Sequence, residues 1–191
     1  MIVTICNNPG YAPRVDEEEQ SFASAMNYPL CEICMCPKKM RMKHCYRCAK
    51  CVYKYDHHCP WIGACVGEYN QGDFWLFLLT QSLQSIWSLD MVKNAYAVHL
   101  NPMAVNYSDG NSYSGEYGAL TIFIIFLWLY SLFAAGLFCF HSFLLIVNLT
   151  SEEMKKGRRL EYMKNNPSPF NYGICYNVGS VLLHDRQRPM Y

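Results

Sequence analysis

Residues 31–74 read CEICMCPKKMRMKHCYRCAKCVYKYDHHCPWIGACVGEYNQGDF, and this stretch decides what kind of domain the chain builds. It contains eight of the 11 cysteines, interleaved with three histidines. Such a density indicates either the disulfides of a small secreted domain or metal ligands in a reducing compartment. Two CxxC pairs, Cys31/Cys34 and Cys45/Cys48, have the spacing of a zinc ribbon. The spacing and the intervening histidines therefore favour a metal-binding domain.

Charge is distributed unevenly along the chain. The formal net charge of +1 gives no reason to expect nucleic acid as a partner. That average conceals a charged front half, followed by a stretch from Tyr117 to Ser151 that has no Asp, Glu, Lys or Arg. Within it, residues 118–147 exceed the roughly 20 apolar residues that span a bilayer. We predict a transmembrane helix there, on which Cys139 and His141 are interpreted as packing residues.

A second candidate membrane helix covers residues 74–98. Its polar side chains are not scattered, because they recur at helical spacing and leave the apolar residues to the other faces. This polar stripe consists of Gln81, Gln84, Ser85 and Ser88. We interpret the segment as a membrane helix whose stripe faces protein or a cavity. An amphipathic helix on the protein surface is the alternative.

Lys and Arg near the ends of the two predicted spans set their orientation. Basic residues crowd within residues 38–54, before the first span, and within residues 155–159, after the second. Residues 101–117 between the spans have none. Under the positive-inside rule, the Cys-rich and C-terminal segments face the cytosol, and the connecting loop faces the lumen or exterior. A cytosolic location agrees with thiols that stay reduced as zinc ligands.

These features predict an α-helical integral membrane protein with a small cytosolic, Cys-rich two-zinc domain of short β-hairpins and loops. Two membrane spans follow that domain. The predicted segments are an N-terminal segment 1–30, the zinc domain 31–73, a transmembrane helix 74–98, a lumenal loop 99–117, a transmembrane helix 118–147 and a cytosolic C-terminal segment 148–191.

The number of metal ligands leaves some side chains free for chemistry. Two closed zinc sites need eight ligands, whereas residues 31–65 offer eleven Cys and His side chains. In an extended segment His57 and Cys59 share one face and His58 points to the other, so a zinc-bound His58 leaves the first two adjacent. Asp56 precedes them, and a carboxylate can orient an imidazole that activates a thiol. Cys36, outside both CxxC pairs, is the third spare side chain.

The whole arrangement resembles a known family. The pattern C-x2-C-x9-H-C-x2-C-x2-C-x4-D-H-H-C-x5-C-x4-N-x3-F runs from Cys31 to Phe74 and is similar at every position to the DHHC protein S-acyltransferases, or palmitoyltransferases. Marks on both sides of this stretch agree in their order along the chain. Asn8-Pro9-Gly10 resembles the family's Asp-Pro-Gly, Thr150-Ser151-Glu152-Glu153 its Thr-Thr-x-Glu, and Asn177 the asparagine of its C-terminal motif.

The resemblance implies a role for each residue of the site. Cys59 would be the acyl-carrying nucleophile, His57 its base and Asp56 the orienting group. Lys38 and Arg41, in a segment that lacks the family's usual proline, would contact coenzyme A phosphates, with a solvated cytosolic face as the alternative. One structural zinc ion would be bound by Cys31, Cys34, His44 and Cys51, and the other by Cys45, Cys48, His58 and Cys65.

The implied function is transfer of a long-chain fatty acyl group from acyl-CoA, such as palmitoyl-CoA, through acyl-Cys59 to protein thiols. The expected partners are membrane lipid, acyl-CoA and cytosolic or membrane proteins with juxtamembrane cysteines, with no nucleic acid. The expected location is the endomembrane system, Golgi or ER, with the active site facing the cytosol. The family has four membrane helices, so residues 1–30 are expected to hold the end of a missing one and the chain to be shortened.

Two other functions compete with acyl transfer. A catalytically silent, membrane-tethered zinc-binding interaction module, or a truncated isoform, would explain the ligands and the spans, but would leave Asp56, His57 and Cys59 unexplained. A RING-type ubiquitin ligase is also Cys-rich, but it pairs its ligands at another spacing, and the adjacent His44 and Cys45 do not fit it. Labelling with acyl-CoA discriminates between the enzyme and both rivals.

Overall fold

The computed structural model describes residues 7–25, 29–99 and 113–183. The chain divides into two compact units: Met1–Trp75 together with His141–Tyr191, and Leu76–Phe140. Most of the predicted lumenal loop and the first residues of the chain lie outside the described residues. In chain order the elements are α1 (Glu17–Ala25), β1 (Lys43–Cys45), β2 (Lys50–Val52), β3 (His57–Cys59), β4 (Ala64–Val66), α2 (Gln71–His99), α3 (Tyr113–Val147), α4 (Ser151–Lys156), two 3-10 turns (Gly157–Arg159 and Glu161–Met163) and α5 (Ile174–Leu182).

Two short hairpins form the Cys-rich part of the first unit. Strands β1 and β2 pair antiparallel in one sheet, and β3 and β4 pair antiparallel in another. The turn before β4 is closed by Gly63, whose φ of 63° lies in the left-handed region that glycine tolerates. The predicted short hairpins are therefore confirmed. Because two-stranded hairpins of this size are marginally stable alone, cross-links between their side chains are needed to hold them.

The two long helices differ in composition. Among the described residues, the part of α3 from Gly118 to Val147 is the one segment long and apolar enough to cross a membrane. The other predicted span is also helical, since α2 covers residues 71–99 and, at about 1.5 Å per residue, has the length to cross. Its composition is more polar. Within the second unit the polar stripe has a partner, because the Tyr130 hydroxyl donates to Gln81 Oε1 at 2.8 Å.

Candidate functional site

Two groups of four Cys and His side chains converge within the first unit. In each group the ligand atoms all lie within 4.8 Å of one another. The groups are Cys31, Cys34, His44 and Cys51, and Cys45, Cys48, His58 and Cys65. These are the two sets that the family resemblance implied, so the structure brings each set together as a zinc-binding-like cluster.

Strand geometry explains how neighbouring residues enter different clusters. Successive side chains of a strand point to opposite faces, so His44 and Cys45 of β1 diverge. His44 lies opposite Cys51 in the first hairpin, and His58 lies opposite Cys65 in the second. The first hairpin therefore supplies ligands to both clusters and links the two hairpins.

The interatomic distances match the requirements of tetrahedral zinc. With Zn–S near 2.3 Å and Zn–N near 2.0 Å, a tetrahedron places two sulfurs about 3.8 Å apart and a sulfur and a nitrogen about 3.6 Å apart. Cys48 Sγ and Cys65 Sγ are separated by 3.4 Å, and Cys65 Sγ and His58 Nδ1 by 3.7 Å. In the other cluster Cys31 Sγ lies 3.7 Å from His44 Nδ1. The residues present fit structural zinc at both positions.

Beside the second cluster, Asp56, His57 and Cys59 form a series of interacting side chains. Asp56 is 1% exposed, and its Oδ2 accepts from His57 Nδ1–H at 3.0 Å. Its Oδ1 accepts from the backbone N–H of Ser151, the first residue of α4. His57 also interacts with the Cys59 thiol, and each of the two side chains shifts the pKa of the other. His58 joins the second cluster, and its two sequence neighbours share the other face of β3.

The electrostatics of this series favour a reactive sulfur. Burial lowers the pKa of His57, but the hydrogen bond to Asp56 and the nearby Cys59 sulfur outweigh it and raise that pKa to about 9. Burial alone would raise the pKa of the Cys59 thiol, yet His57 and the backbone amides of Ile62 and Trp61 hold it below its ordinary value. The thiolate is the nucleophilic form of cysteine, so this arrangement suits covalent catalysis.

His141 of α3 is a residue of the site that the sequence analysis interpreted as packing. Its Nδ1 faces Asp56 Oδ2 at 3.7 Å, and its side chain is 9% exposed. Its ring also packs edge-on against Phe74, with centroids 5.0 Å apart. One feature of the sequence indicates a functional role for His141: it is the only His, Asp, Glu, Lys or Arg between Tyr117 and Ser151.

The two predicted coenzyme A contacts line the same cavity but differ in burial. Lys38 lines an open cavity of about 460 Å³, whose rim also carries Lys39, Lys43 and Lys156. The Arg41 side chain is instead fully buried, and its Nε–H and Nη2–H donate to the two carboxylate oxygens of Glu153, each at 2.7 Å. These hydrogen bonds fasten the Cys-rich segment to α4 and give Arg41 a structural role. Its contact with coenzyme A phosphates stays a prediction.

We expect Arg41→Leu to lower the free energy of unfolding by about 3–5 kcal/mol, because it leaves the Glu153 carboxylate buried without the guanidinium that pairs with it. Lys43→Leu is the matched control. It also removes a basic side chain that pairs with a glutamate, here Glu152. The Lys43 and Glu152 side chains are 39% and 17% exposed, so losing this pair should cost no more than about 1 kcal/mol. Thermal and chemical unfolding in detergent measure both, and equal losses would contradict the structural role of Arg41.

The fold and the site together define a class: a Cys-rich domain that contains two zinc-binding-like clusters and a Cys-His-Asp group, in a chain that also has a helix apolar enough to cross a membrane. The sequence profile described as DHHC palmitoyltransferase matches residues 25–158, more than half of the chain. The chain belongs to this family, which confirms the resemblance seen in the sequence.

Curated relatives agree with the family. The chain is 36% identical over 163 residues to a ZDHHC-type palmitoyltransferase of Dictyostelium discoideum, covering 83% of this chain and 35% of the relative. It is 31% identical over 176 residues to Protein S-acyltransferase 10 of Arabidopsis thaliana, covering 83% and 48%. It is 35% identical over 154 residues to Palmitoyltransferase ZDHHC9 of Homo sapiens, covering 80% and 40%. The chain thus spans between about a third and a half of the length of these relatives.

Proposed function

We propose that this chain catalyses protein S-acylation, passing a long-chain fatty acyl group from acyl-CoA to Cys59 and then to cysteines of target proteins. The observation that carries the proposal is the series Asp56, His57 and Cys59, held beside two clusters that use the other ligands. A silent zinc module needs the clusters but has no use for a buried carboxylate aligned on an imidazole and a thiol. Family membership supports the same reaction.

The first half-reaction forms an acyl-enzyme. The Cys59 thiol gives its proton to His57, and the resulting thiolate attacks the thioester carbonyl of acyl-CoA. A new carbon–sulfur bond to Cys59 forms as the bond to the coenzyme A sulfur breaks. The proton held on His57 passes to the leaving coenzyme A thiolate, while Asp56 stabilises the imidazolium that exists in between.

The second half-reaction transfers the acyl group to protein. A target cysteine gives its proton to His57 and attacks the carbonyl of acyl-Cys59. The bond to Cys59 breaks, and the proton returns to the Cys59 sulfur, which regenerates the enzyme. The same imidazole therefore serves as base and acid in both half-reactions, as two-step transfer requires.

Each cluster would hold a structural Zn²⁺ ion, whose contribution is to cross-link the two hairpins. Four protein side chains would fill the ligand positions of each ion, so neither would keep the open position of a catalytic zinc. The role of the clusters is to fix β3 and β4, which present His57 and Cys59. Chemistry is left to the free sulfur.

Membrane placement follows from the same proposal. Helix α3 would cross the bilayer, α2 would cross it in the other direction, and the Cys-rich domain would face the cytosol of an endomembrane, in the Golgi or ER. Burial of an acyl chain contributes about 0.8 kcal/mol per methylene, so lipid substrates favour a site at the membrane surface. Lys38 and the lysines around its cavity are suited to the phosphates of coenzyme A, and the targets are proteins with cysteines close to the membrane.

Incubation of the purified full chain with labelled palmitoyl-CoA tests the proposal. We expect label on the wild type that hydroxylamine removes, and no label on Cys59→Ala, because that substitution deletes the only proposed acyl carrier. Cys175→Ala, which removes an exposed cysteine on α5, should label like the wild type. An unlabelled wild type that still holds two zinc ions would favour the interaction module, and equal labelling of Cys59→Ala would contradict the assignment of the nucleophile.

A further inference from the structure

A third group of potential ligand and proton-carrying side chains lies next to the clusters. Asp56, His57 and His141 place a carboxylate oxygen and two imidazole nitrogens within 4.8 Å of one another. The mechanism above uses the first two residues. The third comes from α3, 85 positions further along the chain than Asp56, and has no part in that mechanism.

The contacts of Asp56 show what His141 does there. A buried carboxylate is stable only when its oxygens have donors, and it can accept about four hydrogen bonds. Oδ1 accepts from the Ser151 backbone, and Oδ2 accepts from His57. His141 Nδ1 faces the same Oδ2 from the side of α3 at 3.7 Å. That separation exceeds a formed hydrogen bond, but contacts of this kind commonly tighten when substrate binds.

Ring packing adds a second constraint on the same pair. The His141 and His57 ring centroids are 5.6 Å apart, and Phe74 lies edge-on to both, at 5.0 Å from His141 and 5.3 Å from His57. The imidazole of His57 therefore packs against the rings of Phe74 and His141. An apolar side chain at position 141 could fill the space, but it would leave Oδ2 without its second nitrogen neighbour.

We propose that His141 is a positioning residue for acyl transfer, which holds Asp56 Oδ2 and the His57 ring in the alignment that activates Cys59. The inference rests on the proposed function. His141 acts through Asp56 and His57 and does not touch the reacting thioester. Its Nδ1–H provides an additional donor toward the carboxylate, and its ring limits the rotation of His57.

A matched pair of substitutions separates this role from packing. Asparagine and leucine have the same branched shape, but only asparagine can place an amide N–H where His141 Nδ1 lies. We expect His141→Leu to lower kcat for Cys59 autoacylation at least about tenfold, with KM for palmitoyl-CoA unchanged, because alignment and not substrate binding is lost. His141→Asn should retain most of the rate, within about threefold of the wild type.

Zinc content accompanies each rate measurement. The proposal is supported if the wild type and both variants hold two zinc ions, and if kcat falls in His141→Leu but stays close to the wild-type value in His141→Asn. Equal rates for the wild type and His141→Leu, or equal losses in the two variants, would overturn it in favour of a packing role. Three ions in the wild type and two in His141→Leu would overturn it in favour of a metal site. A wild-type chain that takes no label overturns the proposed function, and this inference with it.

Discussion

Cys65→Ala is expected to lose one of the two zinc ions, the β3–β4 hairpin and all Cys59 labelling. Cys65 lies opposite His58 in that hairpin, and both belong to the second cluster. Structural zinc contributes on the order of 10–16 kcal/mol of apparent binding free energy, which is folding free energy for a domain this small. Removing a ligand therefore releases the strand that carries His57 and Cys59. Elemental analysis gives zinc per chain, and palmitoyl-CoA labelling gives function.

Cys36→Ala is the matched control for that experiment. Cys36 is 2% exposed and packs against Cys31 and Cys51, yet it belongs to neither group of four. The control removes a buried sulfur beside a cluster without removing a ligand, so it should keep two zinc ions and label normally. If Cys36→Ala lost zinc and Cys65→Ala kept it, the division between ligands and free sulfurs would be wrong.

Local sequence pattern predicted how side chains are arranged along one strand of the Cys-rich domain. Alternation along short strands predicted that His57 and Cys59 would share a face opposite His58, and the structure has that arrangement. Two zinc sites need eight ligands, so counting left three of the eleven Cys and His side chains free. It did not decide how the eight ligands divide between the two ions. That division came from the family pattern, because nothing in the local spacing states that His44 and Cys45 serve different clusters.

Contacts between distant residues were beyond local pattern. Arg41 and Glu153 are separated by 112 positions, and Asp56 and Ser151 by 95. Such pairs depend on where α3 returns to the Cys-rich domain, which no spacing rule predicts. A basic residue in a Lys-rich segment looks exposed from its neighbours, so the burial of Arg41 against Glu153 was not predicted. Its role as a phosphate contact stays a prediction. His141 was interpreted as packing for the same reason, since its partner lies far away in sequence.

Asp56→Asn is expected to lower kcat for Cys59 autoacylation by about 10²- to 10⁴-fold, with two zinc ions retained. The amide oxygen of asparagine can still accept from the Ser151 N–H. The amide NH2 group then faces His57 Nδ1–H, so two hydrogen-bond donors oppose each other. His57 escapes this conflict by moving its own proton to Nε2, the nitrogen that must receive the proton of Cys59. The imidazole is then present but in the wrong tautomer to act as base.

Glu152→Gln is the matched control, because it makes the same carboxylate-to-amide change outside the proposed site. Glu152 pairs with Lys43 and Lys156 and is partly exposed. Because exposed pairs contribute little, this variant should label within about twofold of the wild type. Single-turnover labelling separates the chemical step from acyl-CoA binding, and the loss in Asp56→Asn should appear in the rate and not in KM. Wild-type rates in Asp56→Asn would mean that Cys59 is activated without an oriented imidazole, and the two-step mechanism would need a different base.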